Sequence, residues 1–560
     1  MKTLLIQLVT LTAILTIAAP SCKKFDEANI NPNSPENVSS NYILTYVLTE
    51  TSKRYYNLGA EGSKISGLLQ YNQIGTNENA ALVNNYGWSH DSWDAYYAIL
   101  RNINIIHTNA IRDHNKLFEG ISLIMKSFVF GMLTDLYGDI PYSEALKAGS
   151  GTYFPKYDKQ VDVYTGILKD LSAANDLLSN LDATKDAIDG GADVIYAGNG
   201  AKWKLFANSL RMRYAMRLYN KKSEMSAAGV DIVSEFNNAA GAAFTSVGDE
   251  ATMSYLGTTA DNSAPGGLLN SSNPLYLIKP AATLVNKLQA LGDPRLQRWV
   301  NPVLYKWDVN VTADSNATMT NIYGESYTVK YRKATAAGVD TSLYVGLPVG
   351  LATVDALVFN KGGDGASYNP ERNPYISYLH SRYRLNNDTY VKMKLMTYAE
   401  VSFLMAEAAL KGGFTVSGSA DQYYKKGIQA SMDRYGVTGN AAGFDFNTYY
   451  NNPDVDYAGA SDKLGRIMEQ KWIAGWLSIE PWFDWRRTGY PDLQTGPVAQ
   501  FGPKLPIRYI YPSPNLDKAY LANYQAAVDR LEATIYVPVG QSADHSYSRM
   551  WLLQGTGKPW

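Results

Sequence analysis

Between Lys463 and Leu493 the apolar positions fall into step. Leu464, Met468, Trp472 and Trp476 recur every four residues, which places them on one stripe of a helix about four turns long and predicts that the stripe is buried. Pro481 has no N–H to continue a helix, so the helix is expected to exit at Ile479-Glu480. The run WFDWRRTG that follows mixes aromatic rings with Asp484, Arg486 and Arg487, and charges beside a core persist only when paired and hydrogen-bonded. This stretch reads as scaffold, with the rest of the chain organised around it.

Helical periodicity recurs upstream over Trp93–Ile111, Ile121–Leu136, Val161–Leu181, Ala201–Tyr219, Tyr398–Leu410 and Ala420–Tyr435. In the second of these, Ile121, Ile124, Met125, Phe128, Met132 and Leu136 line one face, and Gly138-Asp139-Ile140-Pro141 ends it. The fourth carries Arg211, Arg213 and Arg217 beside Leu205, Phe206, Leu210 and Leu218. From Gly241 to Tyr390 the pattern changes to glycine, asparagine, tyrosine and short β-branched runs such as TVKYRK, which predicts long loops with small strands. The many aromatic residues there argue against disorder. Residues 28–40 are rich in proline and asparagine and read as a tether, so the folded body should begin near Asn41.

A chain of 560 residues with 46% hydrophobic content can bury a large core. A net charge of −1 offers no basic footprint for nucleic acid or for an anionic membrane surface. Residues 1–21 follow the secretory pattern of Lys2, an apolar run from Leu4 to Ala19 and then Pro20-Ser21. Cys22, the only cysteine, comes next, where a bacterial lipoprotein is cut and acylated. The mature chain then has no disulfide, and its fold rests on packing.

Catalytic motifs are scarce. The five histidines (90, 107, 114, 380 and 545) are too dispersed for a metal motif, and His107 reads as structural. There is no G-x-S-x-G elbow and no phosphate-binding glycine loop. Residues 451–462 lack the closing glutamate of a calcium loop, so no cofactor is expected, with calcium left open by the density of oxygen ligands. Carboxylates are plentiful and a glycosidase pair stays open, because sequence does not give separations. The segment Asn84-Asn85-Tyr86-Gly87-Trp88 stands out: sugar rings pack C–H faces on aromatic planes while their hydroxyls need amide partners.

RIMEQKWIAGW at Arg466–Trp476, followed by WFDWRRTGYPDL, closely resembles the C-terminal signature of the SusD/RagB-like nutrient-binding outer-membrane lipoproteins, in the subgroup described as starch-binding. LTDLYGDIPYSEAL at Leu133–Leu146, YAEVSFLMAEAALKGG at Tyr398–Gly413, YYKKGIQASM at Tyr423–Met432 and LPIRYIYPSPN at Leu505–Asn515 extend the match. The resemblance implies a mostly α fold of tetratricopeptide-like helix pairs with a large loop-rich region and a few short strands, as one domain over residues 41–560 behind a signal peptide (1–21) and a lipid-anchored tether (22–40). It implies a non-catalytic protein on the cell surface that captures an oligosaccharide and delivers it to a TonB-dependent SusC-like transporter. By the same match a role in glycan contact falls to Asn84, Tyr86 and Trp88, and Trp307, Tyr323 and Tyr344 of the loop-rich region are further candidates. Peptide binding on the same fold and surface glycoside hydrolysis are the alternatives.

Overall fold

The computed structural model describes residues 38–74, 84–270, 277–366, 373–512 and 518–560. The leader, Cys22 and most of the tether lie outside them. The main helices are α1 (Ser40–Gly59), α2 (Asp94–Asp113), α3 (Lys116–Tyr137), α4 (Gln160–Leu178), α5 (Gly200–Arg217), α6 (Ile232–Ala240), α7 (Ala282–Leu291), α8 (Tyr398–Lys411), α9 (Ala420–Arg434), α10 (Lys463–Ala474), α11 (Glu480–Thr488) and α12 (Lys518–Val528). Each of α2 to α5 packs on the next, α8 and α9 form a second hairpin crossed by α10, and α1 lies on α2 and α3. The fold is therefore mostly helical and built from antiparallel pairs, as the resemblance implies.

Local chemistry sets the boundaries. Asn115, Asn199 and Thr397 cap α3, α5 and α8 by accepting backbone N–H bonds, and Ser419 with Gln422 forms a capping box at α9. α3 is long and apolar enough to cross a membrane, yet 89% of its most apolar window is buried by its neighbours, which identifies it as a core helix. Its close contact with α5 depends on Gly131, where a Cβ would stand 2.1 Å from the Tyr214 hydroxyl.

The signature helix ends earlier than the proline suggests. α10 stops at Ala474, and Pro481 lies in the first turn of a separate helix, α11, which contains WFDWRRT. A missing N–H costs nothing in a first turn, so Pro481 starts a helix here and does not terminate one. Gly475 makes the turn tight, since a Cβ there would come within 2.2 Å of the Pro481 ring. Met468, Trp472 and Trp476 are buried as expected, while Leu464 in the first turn is only half-buried, and Trp476 lies just beyond the helix, stacked on Trp299 at 5.2 Å.

The strands β1 (Asn72–Ile74), β2 (Ala251–Ser254), β3 (Ile278–Pro280), β4 (Tyr305–Asp308), β5 (Ser315–Thr320), β6 (Ser326–Lys333) and β7 (Lys392–Met396) are short. β1 pairs with β3 and β2 with β7, both antiparallel, while β6 is the centre of a three-stranded sheet with β4 parallel and β5 antiparallel to it. TVKYRK falls in β6. The region read as loops and strands also holds α7, which buries Leu284, Val285, Leu288 and Leu291.

Candidate functional site

The segment Asn84–Trp88 is fixed at both ends by its own polar groups. Asn84 Nδ2 donates to the carbonyl of Ile74 at the end of β1 (3.0 Å), Asn85 Oδ1 accepts from Gly87 N (2.9 Å), and Gln500 N donates to the Asn85 carbonyl (3.0 Å). Tyr86 adopts a left-handed φ of 62°. The turn drives both rings inward: Tyr86 is wholly buried, and the Trp88 indole lies edge-on against Trp482 (5.5 Å) and Tyr509 (5.2 Å). An inserted indole among two other rings is held by area and by quadrupole geometry. The faces of Tyr86 and Trp88 are thus spent on the core, while Asn85 is half-buried and Gln500, Ser89 and His90 are exposed.

Three polar atoms of this short segment are buried without a protein partner: Asn84 Oδ1, the Tyr86 hydroxyl and Trp88 Nε1. Buried polar atoms are almost always satisfied, and atoms closed off from solvent to this degree can meet only an enclosed water. Burial also pushes the Tyr86 hydroxyl well above its ordinary pKa, which keeps it a neutral donor.

Trp307 lies on β4. It is buried, stacks on Tyr375 at 4.5 Å with a 6° angle between planes, and donates from Nε1 to the Asn360 carbonyl (2.7 Å). Tyr323, in the β5–β6 turn, gives its hydroxyl to the Pro294 carbonyl (3.0 Å) and stacks under the Arg298 guanidinium (3.6 Å). Tyr344 is buried with its hydroxyl pKa raised by burial and by a hydrogen bond to Tyr327. The structure groups Asn84, Tyr86 and Trp88 together; it keeps Trp307 on the sheet, and Tyr323 and Tyr344 where the sheet meets the body.

The charges of the signature form two buried chains in which cations and carboxylates alternate. In the first, Arg213 holds Glu400 with two bonds (2.6 and 2.7 Å), Arg217 bridges Glu480 and Asp135, and Arg486 donates to the carbonyls of Asp135 and Ile507 (both 2.8 Å). In the second, Arg487 joins Glu407 to Asp484, which also pairs with Lys471 (2.8 Å). Burial alone would raise the Glu480 carboxyl, but Arg213 and Arg217 outweigh it and hold it below its ordinary value. For Asp135 burial wins over Arg217 and Arg486, and the carboxyl is raised. Asp484 is held down to about 2, because Lys471 and Arg487 outweigh its burial. These pairs join α3, α5, α8, α10 and α11 and are scaffold.

The profile of the SusD-like family, described as starch-binding and associating with the outer membrane, matches residues 32–512. The chain belongs to this family. A solved SusD homologue from Bacteroides fragilis is similar to it over 92% of this chain and 100% of its own, at 23% identity and a TM-score of 0.70. A SusD/RagB family protein from Bacteroides thetaiotaomicron covers 93% of this chain and all of its own, at 23% identity and a TM-score of 0.63. A protein named as chitin-binding is 26% identical over 92% of this chain and 99% of its own, with a TM-score of 0.66. No curated protein sequence matches. Family membership gives this SusD-like chain a place among outer-membrane-associated, nutrient-binding proteins.

Periodicity and motif spacing did not point to Gln500, which closes the Asn84–Trp88 turn, or to Tyr375, which lies under Trp307. Each is distant in sequence from its partner and carries no local signal. No group of three or more His, Cys, Asp or Glu suited to a metal occurs among the described residues.

Proposed function

We propose that this SusD-like protein captures an oligosaccharide at the outer face of the outer membrane, without cleaving it, and passes it to a TonB-dependent SusC-like transporter, while an acylated Cys22 tethers it to the bilayer. The reading is supported by the family match over residues 32–512 and by the turn that Trp88 pins against Trp482 and Tyr509, which leaves the half-buried Asn85 amide beside the exposed amide of Gln500. Amides and hydroxyls held rigid by a buried aromatic base suit a polyol ligand, whose hydroxyls both donate and accept. Trp307, Tyr323 and Tyr344 are assigned a lesser part, as supports of the loop surface from which further contacts would come.

The family description makes malto-oligosaccharides the first ligands to try, and the chitin-binding relative adds chito-oligosaccharides. A glycan array run beside a peptide mixture tests the reading: binding to glycans is expected, and binding to peptides alone would overturn it.

A further inference from the structure

The Asn84–Trp88 turn has a second wall, built from the C-terminal part of the chain. Gln500 N donates to the Asn85 carbonyl (3.0 Å), which brings residues 500–502 alongside the turn. The Gln500 side chain lies over Gly87, where a Cβ would stand 2.3 Å from its Oε1, and the missing side chain of Gly87 leaves room for it. Asn85 Oδ1 is taken by Gly87 N (2.9 Å), while no hydrogen bond among the described residues engages Asn85 Nδ2 or the Gln500 amide. Two neighbouring amides therefore keep donors and an acceptor unspent.

Aromatic rings continue this wall. Phe501 is half-buried and rests against His545 (4.9 Å, planes at 89°) and Tyr547 (5.4 Å). Tyr547 is wholly buried and fixed, its hydroxyl donating to the Lys504 carbonyl (2.9 Å) and its own carbonyl accepting from Thr534 Oγ1 (2.7 Å). The second of these bonds ties in residues 534–536, and the half-buried Tyr536 ring packs where Gly502 has no side chain, within 3.5 Å of the Cβ that another residue would carry there. Rings held in place before a ligand arrives lose little freedom on binding it. Residues 84–90, 494–503 and 533–543 contain no Asp, Glu, Lys or Arg. The charged residues that directly follow them are engaged elsewhere: Asp91 with Lys64 (2.8 Å), Asp544 with Arg508 (2.7 Å), and the Lys504 ammonium with the Trp560 ring (5.8 Å).

We infer, on the glycan reading above, that Gln500, Phe501 and Tyr536 complete the capture site as a subsite for one uncharged pyranose, its C–H face on the two rings and its hydroxyls bonded by Asn85 Nδ2 and the Gln500 amide. Titration calorimetry of the full protein with maltoheptaose, chitohexaose and hexagalacturonate tests this. Wild type should bind a neutral oligosaccharide more tightly than hexagalacturonate. Phe501→Leu keeps apolar contact with Tyr547 but removes the flat face, and should weaken the neutral ligand at least about tenfold, whereas Phe501→Tyr should retain it. Gln500→Ala alters only an exposed side chain, so it should keep the wild-type Tm and also lose affinity. Failure of wild type to bind either neutral oligosaccharide would overturn the subsite together with the capture reading. Neutral binding left intact by Gln500→Ala or by a folded Phe501→Leu protein, or tighter binding of hexagalacturonate, would overturn the subsite alone.

Discussion

The indole of Trp88 meets that of Trp482 edge-on, with ring centroids 5.5 Å apart and planes at 72°. This contact locks the candidate binding turn onto α11, the centre of the family signature. Truncating a buried tryptophan costs roughly 3–5 kcal/mol, a large share of what holds an ordinary domain. Trp88→Ala should therefore lower Tm by several degrees, and its oligosaccharide affinity should fall further than the folded fraction explains, because Asn84 and Asn85 lose their support. Calorimetry and titration on the same sample measure both effects.

Arg217 lies between Asp135 and Glu480 with all three buried. Removing one partner of a buried pair leaves uncompensated charge and costs roughly 3–5 kcal/mol. Arg217→Met should cost that much in chemical denaturation, while the double variant with Glu480→Gln should recover part of it. An additive double variant would show that the bridge is not coupled.

Acid should weaken the second charge chain in a defined window. The folded Asp484 carboxyl titrates at about 2 against an ordinary 3.8, so its ion pairs are fully stabilising above about pH 4 and are lost as pH falls toward 2. That shift corresponds to roughly 2 kcal/mol. Asp484→Asn should melt below wild type at pH 7, and the gap should close between pH 4 and 2. A gap independent of pH across that window would remove the assigned role.

Much of the scaffold was legible because it repeats. α2 to α5, α8 and α9 announce themselves by four-residue spacing, and the burial of Met468, Trp472 and Trp476 follows from the same rule. The break between α10 and α11 was not legible, since a proline reads as a stop unless the preceding turn is known, and here Gly475 supplies that turn. The site was less legible still. A tryptophan among asparagines carries the same letters whether its ring faces solvent or core; for Trp88 the choice is made by Trp482 and Tyr509, about four hundred residues further along.

Anchoring can be tested without the ligand. Two acyl chains hold a protein stably on a bilayer and one only marginally. Cys22→Ala should release the protein from the outer-membrane fraction of cells lacking the transporter, as read by fractionation and immunoblot. Retention of the variant there would contradict an acyl anchor.

The most direct test of capture without cleavage is one titration of the purified protein with malto- and chito-oligosaccharides, with the sugar recovered afterwards and weighed by mass spectrometry. Saturable binding of at least one series, with every recovered chain at its starting length, is predicted. Shortened chains with new reducing ends, from protein free of contaminating hydrolases, or no binding to any glycan, would contradict it.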